Sequence, residues 1–546
     1  TLASGFDGAV RLISTAYTDL SQVETVTQYD AVSSGTVVDQ VKYTYDGWGG
    51  LTTFEQDRNS EVGASGSVDD YEVSYTYEKA TAGRNTIRRS GVTLPGSATY
   101  EFNYRATGGF HDRDASRVSR IREGATTLVN YDYNGAGEVV GTTYDEPDVM
   151  WKLYGSTSGT YPDLDDFNRV TSSRWTKDLA TDVDFCDVDL TYDRNSNITW
   201  AEDNVHAGYD VKYTIDDIDR LTEAEEGTRS ASSITSQSRD QQWTLDHVGN
   251  WDDTQLDLNG DTDYGDAEEL DEIRTHNGVN EILTRDVDND ESVDYSPAYD
   301  AVGNLTDDKE IYEYEYDAFG RLRKVKNTTN QNLKSEFKYN GLGYRISTHQ
   351  DTDTDGDVDG DDKWFHFAYD EGWRMVATFR EDDTSPKERF VHHQAGYSGY
   401  GGSSYIDLLA FREKDANTAW TSASDGTLEE RLYYCQNWRA DVSAIVTAGG
   451  AMKEWAKYSA YGVPQGLPFG DTDSDGDRDA TDATQVQTWI DAPAYDVRGD
   501  AELDGDVDST DKSLIEASTV AMGRGALSDV VSRRGYAGYE YDAKAR

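Results

Sequence analysis

The chain has 546 residues, with 105 Asp and Glu against 50 Lys and Arg, for a net charge of −55. A field of that sign repels nucleic acid and anionic lipid, which excludes a basic groove, and no run of ~18 apolar residues is present to cross a membrane as a helix. The 37 Tyr and 49 Gly, beside only 14 Phe and 4 Met, describe a tyrosine-lined β-architecture rather than a leucine-rich helical one.

From the N-terminus onward one phrase recurs: two aromatic or apolar residues one apart, an acid or amide, two free positions, a Gly, then a polar-apolar step. It reads Tyr43-Thr44-Tyr45-Asp46 with Gly49 and Leu51, then Tyr131-Asp132-Tyr133-Asn134 with Gly137 and Val139. Copies follow at Leu190-Thr191-Tyr192-Asp193, Tyr213-Thr214-Ile215-Asp216 and Trp243-Thr244-Leu245-Asp246. The last are Tyr299-Asp300 with Gly303, Tyr314-Glu315-Tyr316-Asp317 with Gly320 and Leu322, and Phe337-Lys338-Tyr339-Asn340 with Gly343.

Residues two apart share one face of a strand, so each aromatic pair points to one side. Asp or Asn closes a turn through its side chain, and Gly three residues later supplies a positive φ. Each copy is therefore predicted to be a β-hairpin. Gly320→Val is expected to cost more than Arg321→Ala, with Arg321 read as a surface residue. The steps between successive acids are unequal, which suits hairpins of different length in a winding sheet better than the blades of a propeller.

At these residues the chain resembles the YD-repeat (Rhs) family, which includes bacterial Rhs proteins, insecticidal toxin-complex shells and the teneurin adhesion proteins. Worn copies at Phe6-Asp7 through Leu12 and at Leu164-Asp165 through Val170 extend the resemblance over nearly the whole chain. The stretch from Tyr433 to Pro464 is similar to the segment that precedes the family's core, and Gly535 to Asp542 is similar to the entrance to that core. The self-cleavage signature of toxin-type members does not occur within the 546 residues. Starting at Thr1 without Met, the chain reads as a piece of something longer.

The resulting expectation is an all-β fold: a spiralling antiparallel β-hairpin (YD/Rhs) repeat sheet, open or tube-like, with a small α-helical EF-hand or dockerin-like insert near the C-terminus. Residues 1–469 form the repeat, 470–518 the insert, and 519–546 the return to the repeat.

Three segments carry acids at the spacing that wraps oxygen around Ca²⁺, with Gly at position 6 for the sharp turn. In chain order the first is Asp351, Asp353, Asp355, Asp357 and Asp362, with Gly356. The second is Asp471, Asp473, Asp475, Asp477 and Asp482, with Gly476. The third is Asp500, Glu502, Asp504, Asp506 and Asp511, with Gly505. Side chains of Asp471, Asp473, Asp475 and Asp482, and of Asp500, Glu502, Asp504 and Asp511, are the expected ligands, completed by the backbone oxygens of Asp477 and Asp506. Acidic stretches at Asp257-Asn259-Asp261 and Asp286-Asp288-Asp290 lack Gly at position 6 and read as ordinary loops.

The second and third loops are each followed by a helical stretch, from Asp482 to Ile490 and from Asp511 to Ala517. This duplicated unit resembles a type I dockerin, with Arg478 departing from the apolar position 8. Two roles are open: a docking module for a cohesin-like partner, or a calcium-stapled insert that stiffens the sheet, the second being favoured. The 351 loop, followed by an alternating strand, is expected to pin a hairpin tip. Three filled loops add six positive charges and leave about −49, so the remaining acids still call for a salty or calcium-containing exterior.

No nucleophile elbow, zinc-protease motif or phosphate loop is present, and the adjacent His392 and His393 would face opposite sides of a strand. No enzyme is expected. Cys186 and Cys435 are either a bridge or two buried thiols.

The main functional reading is an extracellular, calcium-stabilised structural protein, a fibre or surface-appendage subunit that assembles head to tail with itself. Its ends, the Tyr43–Tyr45 hairpin or the first residues and the region from Tyr536 to Tyr541, would meet by strand pairing. The alternative is a fragment of a larger secreted YD-repeat protein serving adhesion or toxin delivery. A third reading, binding of surface glycans, rests on aromatic content alone.

Overall fold

The computed structural model describes residues 6–64, 69–78, 87–104, 111–135, 137–155, 159–266, 269–402, 408–522 and 537. The stretch from Gly535 to Asp542, apart from Ala537, lies outside them. Among the described residues the chain is nearly all strand, 37 strands with three α-helices, and its strands pair antiparallel with their chain neighbours.

The repeat phrase folds as one recurrent turn. At Asp317 the backbone N–H donates to the Arg321 carbonyl (3.0 Å) and the carbonyl accepts from Gly320 N (3.1 Å). The Asp317 side chain accepts from the N–H groups of Phe319 (2.9 Å) and Arg321 (3.0 Å). This is an Asx-type closure, in which a side-chain oxygen does the work of a backbone carbonyl. Gly320 stands at φ +75°, the left-handed region that the sequence demanded.

The same side-chain pattern recurs at Asp46, Asp165, Asp193, Asp216, Asp246, Asp300 and Asn340. It also occurs at Asn277, Asp370 and Asn437, which the phrase missed.

The tyrosine before the turn has its own task. Tyr45, Tyr192, Tyr369 and Tyr458 donate through Oη to the carbonyls of Val23, Val170, Arg345 and Val442, at 2.9, 2.6, 2.8 and 2.8 Å. Each acceptor follows the preceding hairpin turn, so the phenol ties one hairpin to the next. A β-bulge accompanies the first three, the register slipping between Thr44 and Tyr45, Thr191 and Tyr192, and Ala368 and Tyr369.

The chain divides into two compact units. The first comprises residues 1–126, 295–406 and 411–431. Its meander from Leu12–Tyr17 to Arg120–Glu123 packs against the strands that follow Tyr295: Tyr71 stacks on Phe379 at 4.3 Å, and Tyr100 meets Phe411 edge-on at 5.8 Å. Phe6 and Asp7 pair in parallel with Tyr316 and Asp317. Charge is buried here in matched pairs: Lys387 Nζ lies 2.9 Å from Asp415 with both side chains fully buried, and Arg389 lies 2.6 Å from Glu413.

The second unit comprises residues 127–294, 407–410 and 432–546. Its meander from Thr126–Asn134 to Ile282–Asp286 packs on the run from Glu430–Gln436 to Pro464–Pro468. Tyr144 touches Tyr433 (5.0 Å between rings), Trp175 Nε1 donates to the Gln436 carbonyl (2.9 Å), and Trp455 Nε1 donates to Phe185 (2.8 Å). In neither unit does a pairing among the described residues join the first strand of the meander to its last, so the sheets are open.

Candidate metal centres

The Asp471 and Asp500 loops lie in the second unit, each leading into a helix, Ala480–Asp491 and Ser509–Glu516. Asp479 and Asp508 cap these helices, and Asp482 and Asp511 close the reciprocal capping box. The helices therefore begin slightly before the expected starts, because position 9 of each loop is the N-cap. Ala483, Val486 and Ile515 form the small core between them, with Phe469, Trp489, Ile490 and Val507 against it.

The three loops share one hydrogen-bond frame. At position 1, Asp471 accepts from Ser474 N (2.6 Å) and Gly476 N (3.0 Å). Asp351 accepts from Thr354 N (2.6 Å) and Gly356 N (3.1 Å), and Asp500 from Asp504 N (3.0 Å) and Gly505 N (2.9 Å). At position 12, Asp482 accepts from Thr472 N (2.7 Å) and Asp479 N (2.8 Å). Asp362 and Asp511 do the same with Thr352 and Asp359, and with Ala501 and Asp508. Gly356, Gly476 and Gly505 have φ of +101°, +94° and +94°, as position 6 requires.

Carboxylate oxygens of Asp471, Asp473 and Asp475 lie within 4.8 Å of one another, as do those of Asp351, Asp353 and Asp355. Asp477, Asp479 and Asp482 form another such group, and Asp506, Asp508 and Asp511 a further one. Among the described residues, Asp500, Glu502 and Asp504 do not make such a triplet, nor do Asp357 and Asp362. Asp286, Asp288 and Asp290 do converge, with Asp286 buried and the other two exposed.

Crowding and burial oppose ionisation in these loops. Burial, with like charge from Asp482 and Asp475, pushes the Asp471 carboxyl up to about 7. Burial, with Asp511 adding to it, pushes Asp500 up to about 6. Asp473, Glu502 and Asp511 are also raised, burial being the first cause in each. Asp362 and Asp508 are exceptions: burial works against Asp362, but the N–H groups of Thr352 and Asp359 hold it below the usual range, and the N–H of Thr510 does the same for Asp508. Oxygen-only donors at this density are the chemistry of a hard divalent cation.

The pair is sewn into the sheet that carries it. Ser474 Oγ, in the first loop, is 2.9 Å from Nδ1 of the fully buried His206, and its carbonyl accepts from Tyr209 Oη at 3.2 Å. The carbonyl of Ala501, in the second loop, accepts from Met452 N (3.0 Å), and Phe469 N donates to the Lys453 carbonyl (3.1 Å). Arg478 does not join the two loops. It is buried over the Phe469 ring (3.9 Å) and donates to the Ser518 carbonyl (3.1 Å), while Asp477 and Arg478 pair with Ala521 and Val520.

In the first unit, the 351 loop forms the tip between the paired strands Arg345–Gln350 and Lys363–Tyr369, as the alternation after it implied. Val358, at position 8, is buried and donates to the Leu333 carbonyl (2.7 Å).

Spacing missed a loop with a similar frame. Asp257, in the second unit, accepts from Gly260 N (2.6 Å) and Thr262 N (2.7 Å), and Glu269 accepts from Leu258 N (3.0 Å) and Asp266 N (3.1 Å). Thr262 takes position 6 at φ +67° where the pattern asks for Gly, and the acid that closes the frame is Glu269, one past the Glu268 at position 12.

No protein-family model matches the chain, and no curated protein does. Solved structures do. The crystal structure of TcdB2-TccC3 is 12% identical with a TM-score of 0.57, over 97% of this chain and 25% of that one. A Photorhabdus luminescens Tc holotoxin pore carrying a TccC3 mutation is 13% identical with a TM-score of 0.55, over 86% of this chain and 24% of that one. The TcdB2-TccC3-Cdc42 structure is 11% identical with a TM-score of 0.56. The chain thus spans about a quarter of the length of these chains, and what it shares with them is the fold: the antiparallel repeat sheet that the YD phrase led us to expect.

Proposed function

We propose that this chain is a wall segment of a larger secreted YD-repeat protein of the toxin-delivery or adhesion kind, stiffened by Ca²⁺ and without a catalytic role. The observation that carries the reading is the match of 97% of the chain to a quarter of a TcdB2-TccC3 chain. A repeat wall needs no reacting centre, only hairpins tied to one another, which the Tyr-to-carbonyl bonds supply.

In this reading Ca²⁺ is held by the 471 and 500 loops, where it neutralises carboxylates that otherwise repel one another, and by the 351 loop at its hairpin tip. The bonds from Ser474 and Ala501 to the sheet support a staple rather than a free docking face for a cohesin-like partner. Millimolar Ca²⁺ over a micromolar site would contribute ~4 kcal/mol to the folded state.

The fibre reading is the second one, supported by a specific surface. The apolar third residues of four turns in the second unit, Phe167, Ile218, Val248 and Val279, are all exposed. In a fibre a second copy would cover them; in a larger wall the rest of the same chain would. Light scattering of this chain at high concentration, in millimolar Ca²⁺ and marine salt, separates the two. A monomer supports the wall segment, and a mass that grows with concentration supports the fibre and defeats the first reading.

A further inference from the structure

The only two cysteines of the chain are far apart in sequence, yet both enter the core of the second unit, one from each sheet. Cys186 stands directly across from Trp175 in the antiparallel ladder, so the two share a face. The Trp175 ring stacks on Tyr144 at 5.1 Å, and Tyr144 meets Tyr433 at 5.0 Å. Tyr433 and Cys435 are two apart on one strand and therefore point the same way. The indole of Trp175 also donates at 2.9 Å to the carbonyl of Gln436, the residue next to Cys435. Both thiols thus lie in the core between the two packed sheets, 8% and 0% exposed. They are close enough for Cys186 to contribute, after burial, to raising the Cys435 thiol.

We propose that Cys186 and Cys435 form a disulfide that bolts the two sheets of this unit together. The step needs a thiol oxidant, taken here as a small disulfide, R–S–S–R. The Cys186 thiolate attacks one sulfur of R–S–S–R and releases one thiol, and Cys435 then attacks the Cys186 sulfur of the mixed disulfide and releases the second. Two S–H bonds and one S–S bond break; one protein S–S bond and two R–S–H form, so protons and electrons balance. Access is provided on the Cys186 side, where a cavity of 130 Å³ is lined by Cys186, Trp175, Asp187, Lys457 and Tyr458. The bond joins segments that no local hairpin connects, the arrangement in which a cross-link most restricts the unfolded chain.

Thiol counting on the intact chain tests this. After incubation with oxidised glutathione, acid quenching, unfolding in guanidinium and treatment with iodoacetamide, the chain is expected to carry no alkyl group and to weigh ~2 Da less than its reduced form. Digestion without reductant should give one peptide pair joining the Cys186 and Cys435 regions, and prior dithiothreitol should restore two alkylation sites. Two alkylated cysteines after oxidation, glutathione retained on both, or a link only between chains would overturn the proposal. The Cys186→Ala variant places a small apolar group beside the cavity and should take up one alkyl group. It should also lose the difference in melting temperature between oxidised and reduced protein. Persistence of that difference in Cys186→Ala contradicts the bridge.

Discussion

Gly320→Val, Gly320→Asn and Arg321→Ala perturb one turn in three ways, and the geometry of the turn sets their order of cost. At φ +75° a Cβ on Gly320 would meet only Asn304 Oδ1, at 4.0 Å, so a side chain there pays in backbone conformation and not in contact. Val, which resists that region, should cost ~1–3 kcal/mol, while Asn, which tolerates it, should cost less than ~1 kcal/mol. Arg321 is not the surface residue the sequence suggested. Its guanidinium bonds Asp317 Oδ2 (2.7 Å), the Asn340 carbonyl (2.8 Å) and Gln28 Oε1 (2.9 Å), and Asp317 is only 2% exposed. Removing it leaves a buried carboxylate without its cation, which costs ~3–5 kcal/mol. The expected order is therefore Arg321→Ala, then Gly320→Val, then Gly320→Asn, which reverses the sequence expectation for the first two. Urea midpoints followed by tryptophan fluorescence at fixed Ca²⁺ and salt read it directly. A larger loss for Gly320→Val than for Arg321→Ala would refute the role assigned to the arginine.

Tyr369→Phe deletes the bond to the Arg345 carbonyl and should lower stability by ~1 kcal/mol, with a similar loss for Tyr192→Phe; no change in midpoint in either would remove the phenol tie. Asp415→Ala should cost ~3–5 kcal/mol by stranding the buried Lys387, while the double replacement Lys387→Met with Asp415→Leu should cost much less, and equal losses in a denaturation series would contradict the buried pair. In chelator, Asp471 raised to about 7 and Asp500 raised to about 6 have folded values above those of the unfolded chain, so their contribution is present at low pH and lost as pH rises through those values. Ca²⁺ binds the ionised forms and should reverse this, so the rise in melting temperature on adding Ca²⁺ should grow between about pH 5 and about pH 8; an equal rise at both contradicts the assignment. Ser474→Ala and His206→Ala should show a coupling of ~1 kcal/mol in a double-mutant cycle, and additive losses would mean that the loop is not held by that contact.

How much of this was legible in the sequence depended on whether a signal was chemical or positional. The turn at Asp317 was readable because Asp, Gly and the aromatic pair all stand at fixed offsets. At Asn277 and Asn437 the phrase is broken twice, by His276 and Gln436 where an aromatic or apolar residue should precede the amide and by Asn280 and Ala440 in place of Gly, at +67° and +68°; at Asp370 only Trp373, at +67°, departs from it. The surrounding ladder and the Asx closure hold these residues there, as they hold Asn168, Ser196 and Asp219 in the turns at Asp165, Asp193 and Asp216. The hydrogen-bond frame of the three acidic loops was legible down to their Gly at position 6, and that of the Asp257 loop was not, since Thr262 replaces the Gly while keeping the hydrogen bond. What anchors the insert was invisible for another reason: His206 and Ser474 become partners only through the packing of distant segments. The division into two units was equally unreadable, because each draws on separated stretches of a repeat whose phrase does not change at the boundaries.

Electron microscopy of the native protein, imaged in Ca²⁺ and salt, tests the central claim most directly. The account predicts discrete hollow particles in whose wall this chain forms one contiguous stretch of the repeat sheet, with density for cations at the Asp471 and Asp500 loops. Filaments built of repeating copies of this chain alone, with no cation density in those loops, would contradict it.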